Sequence, residues 1–366
     1  MDPVTQGLLG AAVGQAVYGP RLGRKAAVFG GLVGMAPDLD IFLNATGTLG
    51  EFLWHRGPTH ALWFGPLVGP LVGWLLWRWR GSDTERLSDW IGLSILALLT
   101  HPLLDLFTSY GTQLLVPFSR HRFSLDAVSI IDPLYSVVLM VPLLVGRRIG
   151  WTRVGTQRVA VAALVVTTAY LGFGMALDAR AKRMARDGVL AQGMTPVRVE
   201  SHPTMFQPWL RRLVVRTETG WGIGWASLWT GEIAQFQFFD EPRDPRVERV
   251  LATREGQVFT WFADGEVTAR VTETGEGATV DLVDLRFGLP GDPRSGIFGL
   301  DVGLDREGKP TGVVRRTRHV PSGAGQGAGL LSELYRATFV HGGLTRRTDE
   351  DPTIVFVPAG HSKEGN

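Results

Sequence analysis

The feature that most restricts this chain is a histidine and an aspartate inside an apolar run. Trp90-Ile91-Gly92-Leu93-Ser94-Ile95-Leu96-Ala97-Leu98-Leu99 leads without a charge into Thr100-His101-Pro102-Leu103-Leu104-Asp105. The run spells a membrane helix. His101 and Asp105 are four apart, so a helix projects both from one face. Ionisable groups in such a segment are costly and usually functional. A bound metal ion relieves that cost.

Five more apolar segments accompany residues 90–107, namely 4–18, 26–43, 61–77, 130–145 and 159–177. Several fall short of the roughly 20 residues that cross a bilayer as a helix. Glycines in the first two, among them Gly7, Gly10, Gly14, Gly30 and Gly34, allow close helix packing. From Asp178 onward the chain turns polar and arginine-rich. Lys and Arg number 37 against 35 Asp and Glu, a net charge of +2, so no large basic field argues for a nucleic-acid partner. There is no cysteine, which excludes disulfides, thiolate metal sites and cysteine nucleophiles. Met1-Asp2-Pro3 lacks the basic start of a cleavable signal.

The fold class expected is a mainly α membrane bundle of about six helices, five or six of them spanning, plus a soluble C-terminal α+β or mostly β domain. The bundle covers residues 1–177, a helical extension 178–195, the β-rich domain 196–358 and a tail 359–366. Strand-like runs fall at 210–217, 221–229, 267–272, 279–287, 297–304 and 312–320, with helices at 245–256 and 330–339. Residues 322–329 read as a flexible loop. Arg21, Arg24 and Lys25, then Arg78, Arg80 and Arg86, then Arg147, Arg148 and Arg153 fill alternate connections. The tendency of such residues to stay inside puts those connections in the cytoplasm and both ends of the bundle outside. Arg180, Lys182, Arg183 and Arg186 run against it.

Polar clusters mark the other connections. They are Asp38 and Asp40; His55, Arg56, Thr59 and His60; His101 and Asp105; and Asp126 and Asp132. In an up-and-down series of helices every one of these falls at the same face of the membrane, so they can converge. Imidazole and carboxylate without thiolate suit Zn, and also Mn or Fe. Asp40, His55, His101 and Asp105 make a first ligand set. His60, Asp38, Asp126 and Asp132 complete a second metal or orient the first. Asp38 and Asp132 are candidate general bases, and Arg56 and Thr59 candidate substrate contacts. Each residue has a plainer role when taken alone. Asp132 or Asp126 can cap a helix, Thr59 likewise, and His101 can bond a neighbouring helix. His121, and the C-terminal His202, His319, His341 and His361, show no ligand spacing. The tryptophan-rich run 221–229 reads as strand core, and no nucleophile elbow, P-loop or dinucleotide fingerprint is present.

Met1-Asp2-Pro3-Val4-Thr5-Gln6, Pro37-Asp38-Leu39-Asp40, His55-Arg56-Gly57-Pro58-Thr59-His60, Thr100-His101-Pro102-Leu103-Leu104-Asp105, Tyr110-Gly111-Thr112-Gln113 and Ile131-Asp132-Pro133-Leu134-Tyr135 occur in order. Together they resemble the YdjM-type bacterial inner-membrane proteins, described as membrane-bound metal-dependent hydrolases. The resemblance implies a multi-pass protein of the bacterial inner membrane and a hydrolase. Many members carry histidine at the place of Gln6. The order Asp40, His55, His101, Asp105 is also similar, distantly, to zinc-dependent phospholipase C and the P1-type nucleases, which implies a zinc phosphoesterase site. The function expected is a metal-dependent hydrolase, foremost a phosphoesterase, acting at the outer face on an amphipathic or lipid-linked substrate, with the lipid bilayer as its other partner. Two further readings use the same residues: a transporter or ion-binding protein, and a non-catalytic envelope protein with a structural metal.

Overall fold

A computed structural model describes residues 1–288, 294, 296–318 and 324–344. The chain forms two compact units. The first comprises Met1–Ala45, Trp54–Met175 and Met205–Gln207. Helix α1, Pro3–Leu22, starts where Asp2 accepts the Thr5 amide at 3.0 Å and Pro3 fixes the first turn. Gly23, at φ 57°, turns the chain into α2, Arg24–Met35. These helices touch backbone to backbone. A Cβ on Gly10 would lie 2.2 Å from the Gly30 carbonyl oxygen, which only glycine permits.

Pro37 cannot donate the next helical hydrogen bond. The chain continues as a 3₁₀ helix, Ala36–Thr46, instead of the α-helix expected to residue 43. A short α3, Gly50–Trp54, and a 3₁₀ turn, Pro58–His60, lead into α4, Phe64–Arg80. Helix α5, Leu87–Asp105, carries the His101 and Asp105 pair in its last turns. After an extended loop come α6, Pro133–Ile149, and α7, Val154–Ala191. Leu67, Leu71, Val137, Leu144, Val165 and Val166 on α4, α6 and α7 are exposed, an apolar surface suited to lipid. By length and apolar composition, α5 and α7 are candidate membrane spans. The segment Gly50–His60 with α4 would add a third as a bent pair. Among the described residues, length and composition thus identify two or three candidate spans of the five or six expected. The 12 residues of α2 reach only about 18 Å.

The second unit comprises Thr46–Leu53, Ala176–Thr204 and Pro208–Asn366. One antiparallel sheet runs β1 (Arg198–Pro203), β2 (Leu210–Arg216), β3 (Gly220–Ser227), β4 (Glu232–Ile233), with β5 (Gln237–Asp240) also paired to β3. Ala181, Ala185 and Val189 of α7 pack on Leu213, Val215 and Ala226 of this sheet. Helices α8 (Pro245–Ala252) and α9 (Arg254–Phe262) precede an antiparallel meander of β6 (Val267–Thr274), β7 (Gly277–Asp284), β8 (Phe298–Leu304) and β9 (Pro310–Arg318). Trp221 and Trp225 are buried in strand β3 and Trp229 is exposed. Helix α10, Ala324–Phe339, begins inside the stretch expected as a loop. His319, His361 and the tail 359–366 lie outside the described residues. Phe52, 1% exposed, belongs to this unit through rings of α9, with centroids 5.3 Å from Phe259 and 4.7 Å from Phe262. Glu51 beside it pairs with Arg316 at 2.7 Å.

Candidate metal centre

Three elements of the first unit bring four side chains together: the 3₁₀ helix supplies Asp38, the Pro58–His60 turn His60, and the end of α5 both His101 and Asp105. His60 Nε2 lies 2.9 Å from His101 Nε2, 3.3 Å from Asp105 Oδ2 and 3.6 Å from Asp38 Oδ1. His101 Nε2 lies 3.4 Å from Asp38 Oδ1 and 3.5 Å from Asp105 Oδ2. All four ligand atoms fall within 4.8 Å of one another. A tetrahedral ion with bonds of about 2.0–2.1 Å has edges of about 3.3–3.4 Å. The observed distances scatter around that length, so the group can hold a metal ion.

The neighbours of the histidines prepare them for this. His101 Nδ1 sits 2.6 Å from the carbonyl oxygen of Gly34. A carbonyl only accepts, so Nδ1 carries the proton and Nε2 offers its lone pair. His60 Nδ1 lies 3.0 Å from the Thr59 hydroxyl, whose own proton goes to Asp40, so Nδ1 donates to that oxygen, with Asp40 Oδ2 3.2 Å away, and its proton is committed in the same way. Two imidazole lone pairs then meet at 2.9 Å beside two carboxylates, an arrangement that a cation reconciles. Asp105 Oδ2 fits the same account: it is buried and has no hydrogen-bond partner. Arg56 Nε is 3.2 Å from it, close enough for charge attraction but out of line for a hydrogen bond. The other oxygen, Oδ1, accepts from Gln6 Nε2 at 3.0 Å and from the Met1 amine.

Asp40 stands behind the group and orients it. Its carboxylate accepts from the Arg56 amide at 2.9 Å and the Thr59 hydroxyl at 3.0 Å, and meets His55 Nδ1 at 2.7 Å. Burial opposes charge on Asp40, but contacts with His55 and His60 outweigh it and hold the carboxyl below the usual range. Asp38, expected as a base or as part of a second metal or its surroundings, is among the four converging groups, and Asp40, expected as a ligand, contacts His55 and lies beside His60 behind them. Residues two apart in a 3₁₀ helix point about 120° apart, so the two carboxylates face different neighbours.

The remaining site residues are placed as follows. His55 is in contact with Asp40 and sets its ring edge-on to Tyr110, outside the four-residue group. Arg56, expected to touch substrate, is 3% exposed and spent on Asp105 and on the Thr108 hydroxyl at 2.7 Å. Thr59 is spent on Asp40. Asp132 is not among the converging residues. It caps α6 through the Tyr135 amide at 3.1 Å and accepts the Tyr170 hydroxyl at 2.9 Å, since Pro133 starts a helix whose free amides need an acceptor. Asp126, also outside the group, accepts from Ser124 at 3.2 Å. His121 packs on Phe123. Sequence reasoning missed Gly34, whose carbonyl fixes His101, and Thr108 and Tyr110, which hold Arg56. Backbone acceptors leave no mark in residue type. Tyr110 had one, since it begins Tyr110-Gly111-Thr112-Gln113.

Fold and site together define a helical membrane protein with a buried two-histidine, two-aspartate group that can hold a metal ion. Residues 1–181 match the model of the family described as YdjM inner membrane protein, so over that half the chain belongs to the YdjM family. The chain is also similar to the protein named "Uncharacterized protein YfhP" of Bacillus subtilis (strain 168), 24% identical over 304 residues, covering 78% of this chain and 87% of that protein. No solved structure matches it.

Proposed function

We propose that the protein is a multi-pass metal-dependent hydrolase of the bacterial inner membrane, a phosphoesterase acting at the outer face on an amphipathic or lipid-linked substrate. The convergence of His60, His101, Asp105 and Asp38 at near-tetrahedral spacing carries this reading. Zinc suits two imidazoles and two carboxylates, with Mn and Fe as the nearest competitors. Such an ion supplies a Lewis acid toward a phosphoryl oxygen.

The residues divide the remaining work by exposure. The side chains of His60, His101 and Asp105 are 0% exposed, whereas that of Asp38 is 12% exposed. The first three form a fixed trio of the kind that leaves a position open to substrate. Asp38 is the least buried of the four, and its Oδ2, buried and without a hydrogen-bond partner, is the oxygen that would take the proton of a water admitted to the site. Arg56 and Asp40 keep Asp105 and His60 in register. The site lies at the ends of helices whose other ends carry the arginine clusters, and the positive-inside tendency supports an outer location.

Purified full-length protein in detergent tests this by elemental analysis and by release of phosphate or alcohol from a panel of lipid phosphoesters. One metal ion per chain, lost in both His101→Ala and Asp105→Ala, together with metal-dependent cleavage, is the expected result. Metal contents far below one per chain and equal in both variants would remove the reading. Stoichiometric metal without cleavage of any phosphoester would turn it to the structural-metal alternative.

A further inference from the structure

A cleft lies at the other end of α2. That helix begins at Arg24 and runs into the 3₁₀ helix bearing Asp38, so Arg24 is at the end away from the metal centre. There α1, α2 and α6 border a cleft of 540 Å³. Its walls are apolar, with Val28 on α2 and Leu143 and Leu144 on α6, and Arg24, Arg147 and Trp151 complete the lining.

The charges at this edge are not balanced. Asp89 is taken by Arg21 at 2.5 Å and Glu85 by Lys25 at 2.9 Å. Arg24 and Arg147 are exposed and, among the described residues, have no carboxylate partner. Two guanidiniums on one cleft make a bidentate phosphate receptor, because the planar donors match phosphate oxygens. Val28 and Leu144 are exposed beside them, 41% and 55%. A free phosphate has no use for apolar walls, and a neutral lipid none for two guanidiniums. An anionic glycerophospholipid uses both, with its acyl chain along Val28 and Leu144 and its phosphate at the arginines. Tryptophan suits the boundary where such a headgroup sits. Basic pockets between helices at this side of a membrane hold acidic headgroups.

We propose that the cleft between α1, α2 and α6 binds one anionic phospholipid through Arg24 and Arg147, apart from the metal centre and independent of its chemistry. The test is native mass spectrometry of the full-length protein released from detergent, with phosphatidylglycerol or phosphatidylcholine added at equal concentration. One phosphatidylglycerol is expected to stay bound and phosphatidylcholine to be lost. Arg24→Gln with Arg147→Gln should weaken retention about thirtyfold, while Arg78→Gln with Arg80→Gln, on α4, should leave it within about threefold. The proposal fails if both double variants lose the lipid equally, which would mean bulk attraction, or if the two lipids are retained alike. It fails also if millimolar inorganic phosphate displaces phosphatidylglycerol as well as the lipid itself does, which would mean a bare anion site.

Discussion

At the scale of single residues, the centre depends on what stands behind the ligands. Asp40 takes the Thr59 hydroxyl proton, which turns the Thr59 oxygen into an acceptor for His60 Nδ1 and leaves Nε2 free. Asp40→Asn keeps the shape but places an amide among donors: the Arg56 backbone, the Thr59 hydroxyl and the two histidines. Metal affinity should fall about 10- to 100-fold while the fold is retained. Competition with a chromophoric chelator measures it, and an unchanged affinity would show that His60 needs no such orientation. The sequence made the participants legible, because histidines and aspartates are conspicuous in an apolar half. It did not make their ranks legible. A helical reading of Asp38-Leu39-Asp40 puts the two carboxylates on different sides, but which of them faces the centre is set by the packing around the 3₁₀ helix and not by the local sequence. Asp132 was hidden for a related reason. A carboxylate before Pro133 is both a plausible base and an ideal helix cap, and the cap is the role its hydrogen bonds show.

At the scale of elements, small residues decide which helices meet. Gly10 on α1 and Gly30 on α2 face each other so closely that a Cβ on Gly30 would sit 2.4 Å from the Gly10 carbonyl oxygen. Backbone cannot yield as a side chain does. Gly30→Leu should therefore destabilise the first unit by at least about 1–3 kcal/mol, the range for overpacking. Gly172 on α7 provides the contrast, since a Cβ there meets nothing within 4 Å. Gly172→Ala should be neutral or stabilise by up to about 1 kcal/mol through helix propensity. Thermal unfolding of both variants in the same detergent compares them, and equal shifts would refute the close-contact account. Glycine spacing was readable in the sequence, and so was the pairing it allows. Where helices stop was less readable, because α2 and the turn after it share one apolar run that only the missing amide hydrogen of Pro37 divides.

At the scale of the whole molecule, the change from apolar to polar sequence at Asp178 is a change of surroundings rather than a break in structure. Helix α7 runs unbroken for 38 residues, and the two compact units divide within it at Met175 and Ala176. A helix satisfies its own backbone in lipid and in water alike, so only its side chains need to change. The other exchange between units has no compositional mark at all. Thr46–Leu53 lies in sequence between Asp40 and His55 yet is part of the second unit. Phe52 looks in sequence like one more apolar residue before a membrane helix. Its burial against Phe259 and Phe262 depends on residues some 200 positions away, which no local pattern can disclose. Phe52→Ala removes a fully buried ring from that cluster, and such truncations cost about 3–5 kcal/mol. Because the ring packs on α9, the loss should be felt there, as amide protection in Arg254–Phe262 lower by about two to four orders of magnitude in hydrogen exchange on the full-length protein. A decrease below about tenfold would mean that the second unit does not depend on the ring it takes from between Asp40 and His55.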